Sequence, residues 1–161
     1  MTKLRKLTAL LLAGALTLLL LTACSGGGGS SGPKAQAEAN VMQAIRSNPS
    51  TKNLKYDVDM CNIAENELAN TNLDTELKGY IGGYGVYHKV NIDSKNSTLT
   101  LIAQYDYQNT TLDDLIGCIT NNNEASNLNF NLSSKWTKVG VAATTHNGKT
   151  YIAITLQVKR T

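Results

Sequence analysis

Three cysteines, two histidines and scattered carboxylates are the groups of this chain with the chemistry for covalent, acid–base or metal work. A thiolate attacks carbonyl carbon and binds soft metals; an imidazole beside a carboxylate relays protons or grips zinc. Neither pattern assembles along the sequence. Cys61 and Cys118 have no histidine near them. His88 stands between Val86 and Val90 on the apolar side of an alternating segment, the place of a hydrogen-bonded core residue. His146 precedes Asn147-Gly148 and is expected in solvent, and no acid stands at ligand spacing from either ring. Asp57-x-Asp59 lacks the glycine and the oxygen ladder of a calcium loop, and helix capping accounts for both aspartates. The expectation is no catalytic residue, no metal ligand and no cofactor. Cys61 and Cys118 form a candidate disulfide outside the cytoplasm, or else serve as two small buried hydrophobes.

Cys24 sits in a different setting. Lys3, Arg5 and Lys6 make a cationic start, Leu7 to Leu21 an apolar run, and Leu21-Thr22-Ala23-Cys24 closes it. The run is shorter than the roughly 20 apolar residues that span a bilayer, which marks a processed signal. The closing tetrapeptide resembles the bacterial lipobox, in which the cysteine thiol is lipidated and the preceding peptide removed. Residues 1–23 are thus read as a lipoprotein signal peptide. Residues 24–34 are the lipidated Cys24 with its Gly/Ser linker, and 35–161 a single domain. The spacer Ser25–Gly32 has nothing to bury and behaves as a flexible leash with a typical reach near ~15 Å.

Removal of the signal alters the charge. The whole chain is +3, but three of its fifteen basic residues leave with the signal, so the mature chain is formally neutral. A pI near 8.7 therefore does not point to nucleic acid, whose recognition needs clustered cations.

The elements that must position any site follow from periodicity. Ala37, Val41, Ala44 and Ile45 mark one helix face over 35–47, stopped by Asn48-Pro49. A second helix begins at Asp57 or Asp59 and buries Met60, Ile63, Ala64 and Leu68, with a further helical turn or two over 72–80. Even positions from Tyr84 to Ile92 and odd positions from Leu99 to Tyr107 pair across "DSKN", giving one apolar face. Thr110 or Thr111 caps a helix with the stripe Leu112, Leu115, Ile116 and Ile119. Asn147-Gly148 turns a second hairpin that pairs Ala143 with Ile152, Val141 with Ile154 and Val139 with Leu156. Its other face carries Gly140, Ala142 and Ala153, small enough for a second layer to approach. The order predicts an α+β domain, a mainly antiparallel sheet built from two hairpins and covered by helices in a three-layer α-β-α sandwich.

Two segments of this framework resemble the CAP superfamily (the SCP-like, cysteine-rich secretory type). In "IRSNPSTKNLKYDVDMCNIAENELA", residues 45–69, Arg46, Leu54, Tyr56, Asp57, Met60 and Ala64 fall at the family's spacings. In residues 110–156, Trp136, Val139-Gly140-Val141 and Tyr151 match its closing strands. Many CAP domains hold two histidines and two glutamates in a metal-binding cleft. The resemblance maps the "GENIA" glutamate onto Thr100, the "SPGHR" histidine into Asn121–Ser126, which has none, and an earlier histidine near Thr71–Leu73, which also has none. A degenerate, metal-free CAP-like domain is what the resemblance implies.

Tyr84, Tyr87, Tyr105 and Tyr107 are the candidate ligand-binding residues, aromatics with polar tips near the rim of the family's cleft. The expected protein is a lipoprotein on the extracytoplasmic face of the cell membrane, held by a diacylglycerol/palmitoyl anchor. Its domain is expected to be a binding module, not an enzyme, for a cell-wall glycan, peptide or lipid, with no nucleic acid as partner. The alternative is a cell-envelope hydrolase of protease-like CAP type with a non-standard site.

Overall fold

The computed structural model describes residues 32–77, 79–81, 84–92, 96–105, 111–120 and 133–159, with backbone alone at 79–81, 84–88, 90–92, 96, 118–120, 133 and 159. Residues 1–31, over which the sequence reading places a signal, Cys24 and a spacer, and Tyr107 lie outside the described residues.

Helix α1 (Pro33–Ser47) starts on a proline, whose fixed φ and missing N–H suit the first helical position. It buries Ala37, Val41, Met42 and Ile45, and extended Asn48 ends it just before Pro49. The buried Thr51 hydroxyl donates to Ile45 O at 2.7 Å, closing the turn that leads out of the helix. Strand β1 (Lys55–Tyr56) is followed at once by α2 (Val58–Asn70). Asp57 is the cap of α2, its Oδ1 accepting from Asp59 N at 3.1 Å and Met60 N at 3.3 Å. The polypeptide then makes one turn, Thr75 N and Glu76 N both donating to Asn72 O, before β2 (Gly79–Ile81). Residues 79–80 are therefore strand, and the helical extension expected over 72–80 is confined to that single turn.

Strands β3 (Tyr84–Ile92) and β4 (Asn96–Gln104) pair Val86 with Ala103, His88 with Leu101 and Val90 with Leu99. Strands β5 (Trp136–His146) and β6 (Lys149–Lys159) pair in the register set by their turn. In that turn Asn147 (φ 50°) and Gly148 (φ 73°) both take positive φ, as a type I′ turn requires. The hairpins join through β4 and β6, with Leu99 opposite Leu156 and Leu101 opposite Ile154. The fold is α+β, with a mixed six-stranded sheet in the order β1-β5-β6-β4-β3-β2. Among the described strands only β1 runs parallel to its neighbour, Tyr56 lying opposite Val139. A two-residue strand has no period to read, so its pairing was not visible in the sequence.

Helices cover both faces of the sheet. Alpha-helical α1 and α3 (Leu112–Thr120) pack with Leu99, Leu101, Val139, Val141, Ile154 and Leu156. Helix α2 sets Ala64 and Leu68 against Ile102, Ala142, Tyr151 and Ala153 on the other face. There a Cβ on Gly140 would overlap the backbone of Met60 and Cys61. The helix axis comes that close because the sheet offers it only small side chains. At the start of α3, Thr111 and Asp114 form a reciprocal cap: Asp114 N donates to Thr111 Oγ1 at 3.2 Å, and Thr111 N to Asp114 Oδ2 at 3.1 Å.

Candidate functional site

A cleft of about 510 Å³ lies where α2 ends against the tip of β5. Leu68, Asn70, Asn72 and Leu73 form one wall, and Thr144 and His146 belong to the other. Helix α2 ends in a regular way: Thr71 N donates to Glu67 O at 3.0 Å as the backbone turns extended. Asn72 Oδ1 then accepts from Asp74 N at 3.2 Å, a local Asx turn that aims the Asp74 carboxylate at β5.

There it meets His146. The ring Nε2 donates to Asp74 Oδ2 at 2.9 Å, and the Asn147 amide lies 3.0 Å from the same nitrogen. The imidazole meets the buried Tyr151 ring edge-on, with centroids 6.4 Å apart. The His146 hydrogen bond, with help from Asn147 and Lys149, holds the Asp74 carboxyl below the usual carboxylate range. Burial, then the charge of Asp74, pushes the Tyr151 phenol up. His146 is thus half-exposed and partnered, where the sequence reading put it in solvent with no acid. The acid is 72 residues away along the chain, and no spacing rule would find it. A carboxylate-oriented imidazole on the rim of a polar cleft can donate and accept hydrogen bonds to a ligand and can exchange protons with it.

A second polar cluster lies where α1 crosses β5. Glu38, 6% exposed, accepts from Ala143 N at 2.9 Å. Ala143 lies beyond the two residues of β5 that β1 pairs, so a side chain satisfies a backbone donor of the strand's outer edge. Burial raises the Glu38 carboxyl despite that bond. Tyr56 beside it is pushed up to about 12, by burial first and then by the charges of Glu38 and Glu65. The Tyr56 hydroxyl lies 2.9 Å from Cys61 Sγ. Cys61 is disulfide-bonded, and the side chains of Cys24 and Cys118 are outside the described residues.

The remaining sequence candidates are dispersed. Tyr105 packs half-buried against the core on the α1 face, its backbone N–H on Thr150 O at 2.8 Å. Tyr84 and Tyr87 are backbone positions of β3, paired with Ile81 and Ile102. Thr100, where the CAP resemblance looks for a glutamate, shares a buried 2.8 Å hydrogen bond with Thr155. The segment Thr71–Leu73, where it looks for a histidine, does line the cleft. Among the described residues no three His, Cys, Asp or Glu side chains converge as metal ligands. Comparison with protein-family models, curated proteins and solved structures finds no match to this chain.

Proposed function

We propose that this is a membrane-anchored extracytoplasmic lipoprotein whose degenerate, CAP-like three-layer α-β-α domain binds an envelope or extracellular partner and catalyses no reaction. The observation that carries the reading is the junction at Pro33. An anchor-like Cys24 and a spacer with nothing to bury run directly into a helix whose second turn is pinned to the sheet by Glu38. Such an order serves a rigid domain held on a short leash at a surface. The polar cleft beside His146 is the place where such a domain has room for a ligand.

Capture from envelope extract by the mature chain tests the binding. A glycan, peptide or lipid retained by the wild type and lost on His146→Gln supports it; identical retention by both chains removes the cleft from the account. One observation favours the alternative, an envelope hydrolase: the 2.9 Å contact between Asp74 and His146 is the orienting half of a general-base arrangement. Release of label from wall material by the mature chain, abolished in His146→Gln, would establish that alternative.

A further inference from the structure

We propose that the cleft between the end of α2 and the tip of β5 is a carbohydrate site turned toward the membrane that anchors the chain, placed to take the sugar head group of a lipid. The orientation rests on the reading of Cys24 as the anchor; the ligand class rests on the cleft itself.

The orientation follows from the direction of α1. Its Glu38 meets Ala143, whereas Ile45 borders the apolar slot that Trp136 and Val139 also line, so α1 runs antiparallel to β5. Five residues back from Glu38, at about 1.5 Å each, bring Pro33 some ~7 Å further along β5. His146 lies three residues beyond Ala143, about 10 Å at strand rise. The leash therefore joins the domain at the His146 end of the sheet, the end that holds the cleft. A leash reach near ~15 Å is about half the ~33 Å length of β5. With the chain tied at Cys24, the His146 end of the sheet lies nearer the attachment point than the Trp136 end.

The ligand class follows from the lining. Asn70, Thr71, Asn72, Asp74, Thr144 and His146 offer amide, hydroxyl, carboxylate and imidazole groups, both donors and acceptors, while Leu68 and Leu73 supply apolar surface. Vicinal hydroxyls with a hydrocarbon ring face match that alternation. The one carboxylate of the lining, Asp74, is engaged by His146, so the cleft presents no unpaired charge that would favour an ionic ligand over a neutral sugar. The volume suits a ligand the size of a disaccharide.

The test uses the mature lipidated chain in phosphatidylcholine vesicles, with labelled histidine rings and tryptophan indole read by NMR and the His146 signal assigned by its loss in His146→Gln. Lipid carrying a gadolinium chelate on its head group should broaden His146 strongly and Trp136 weakly; equal broadening overturns the orientation. A chain that stays out of the vesicle fraction overturns the anchor reading and the orientation with it, and the soluble sugars still decide the cleft. Glucose and N-acetylglucosamine disaccharides, and vesicles containing diglucosyl-diacylglycerol, should shift the His146 signals; phosphatidylglycerol vesicles should not. Thr144→Val should weaken sugar binding about tenfold, the loss of one hydrogen bond. Silence with every sugar, or an equal response to phosphatidylglycerol, overturns the carbohydrate assignment.

Discussion

Glu38 carries a carboxylate into a place that disfavours charge, and the fold accepts it because Ala143 N–H would otherwise be buried without a strand partner. The two requirements separate by mutation. Glu38→Gln keeps an oxygen acceptor and removes the charge, so denaturant unfolding at neutral pH should show stability unchanged or raised by about 1 kcal/mol. Glu38→Leu should cost about 1–3 kcal/mol by orphaning the donor. The pH dependence has a definite sign. A carboxyl raised in the folded state binds its proton more tightly there than in the unfolded chain. Its contribution is therefore most favourable in acid and declines as pH rises from the ordinary glutamate value through the folded one. Wild type minus Glu38→Gln should show that decline in urea midpoints; a difference that grows with pH would contradict it. Gly140 is the other residue with no freedom. Gly140→Ala should destabilise by about 1–3 kcal/mol or more, because its neighbours are helix backbone and cannot rotate aside.

Helix α2 is the element on which the cleft depends, and two ion pairs hold it to the sheet: Asp57–Lys138 at 2.6 Å at its start and Glu67–Lys89 at 2.9 Å near its end. The Lys138 hydrogen bond and two backbone amides hold the Asp57 carboxyl below the usual aspartate range. The sign is opposite to that of Glu38: this stabilisation is complete above the ordinary aspartate value and is lost as pH falls through the lower folded one. Asp57→Ala should cost about 1–2 kcal/mol near neutral pH as the cap is lost, and wild type and variant should converge in acid. Persistence of the gap at low pH would contradict the assignment. Much at this scale was legible in the sequence. Capping residues at Asp57 and Thr111, the stripe in α1 and the Asn147-Gly148 turn are local signals, and each element formed where its signal stood. What was not legible is non-local. β1 is too short to show alternation, β2 follows a turn that read as helix, and Asp74 finds His146 only because the turn after α2 folds back over β5.

Across the whole molecule, apolar rows on β4, β6 and β5 run through the sheet in which the two hairpins join, and helices on both faces bury them. That construction leaves the polar cleft at one end, which is also where α1 begins. The sequence reading proposed an anchor and a leash, which lie outside the described residues, and did not anticipate the cleft, since its ligand candidates were tyrosines of the first hairpin and it gave Asp74 no role. The account stands on Cys24 as the point of attachment, because the proposed orientation of the domain holds only if the chain is tied there. Intact-mass and N-terminal peptide analysis of the chain purified from membranes tests this most directly. The account predicts a mature chain that begins at Cys24, lacks residues 1–23 and carries the added mass of a diacylglycerol on that residue. An unmodified Cys24, or an N-terminus cut at any other residue, would contradict it.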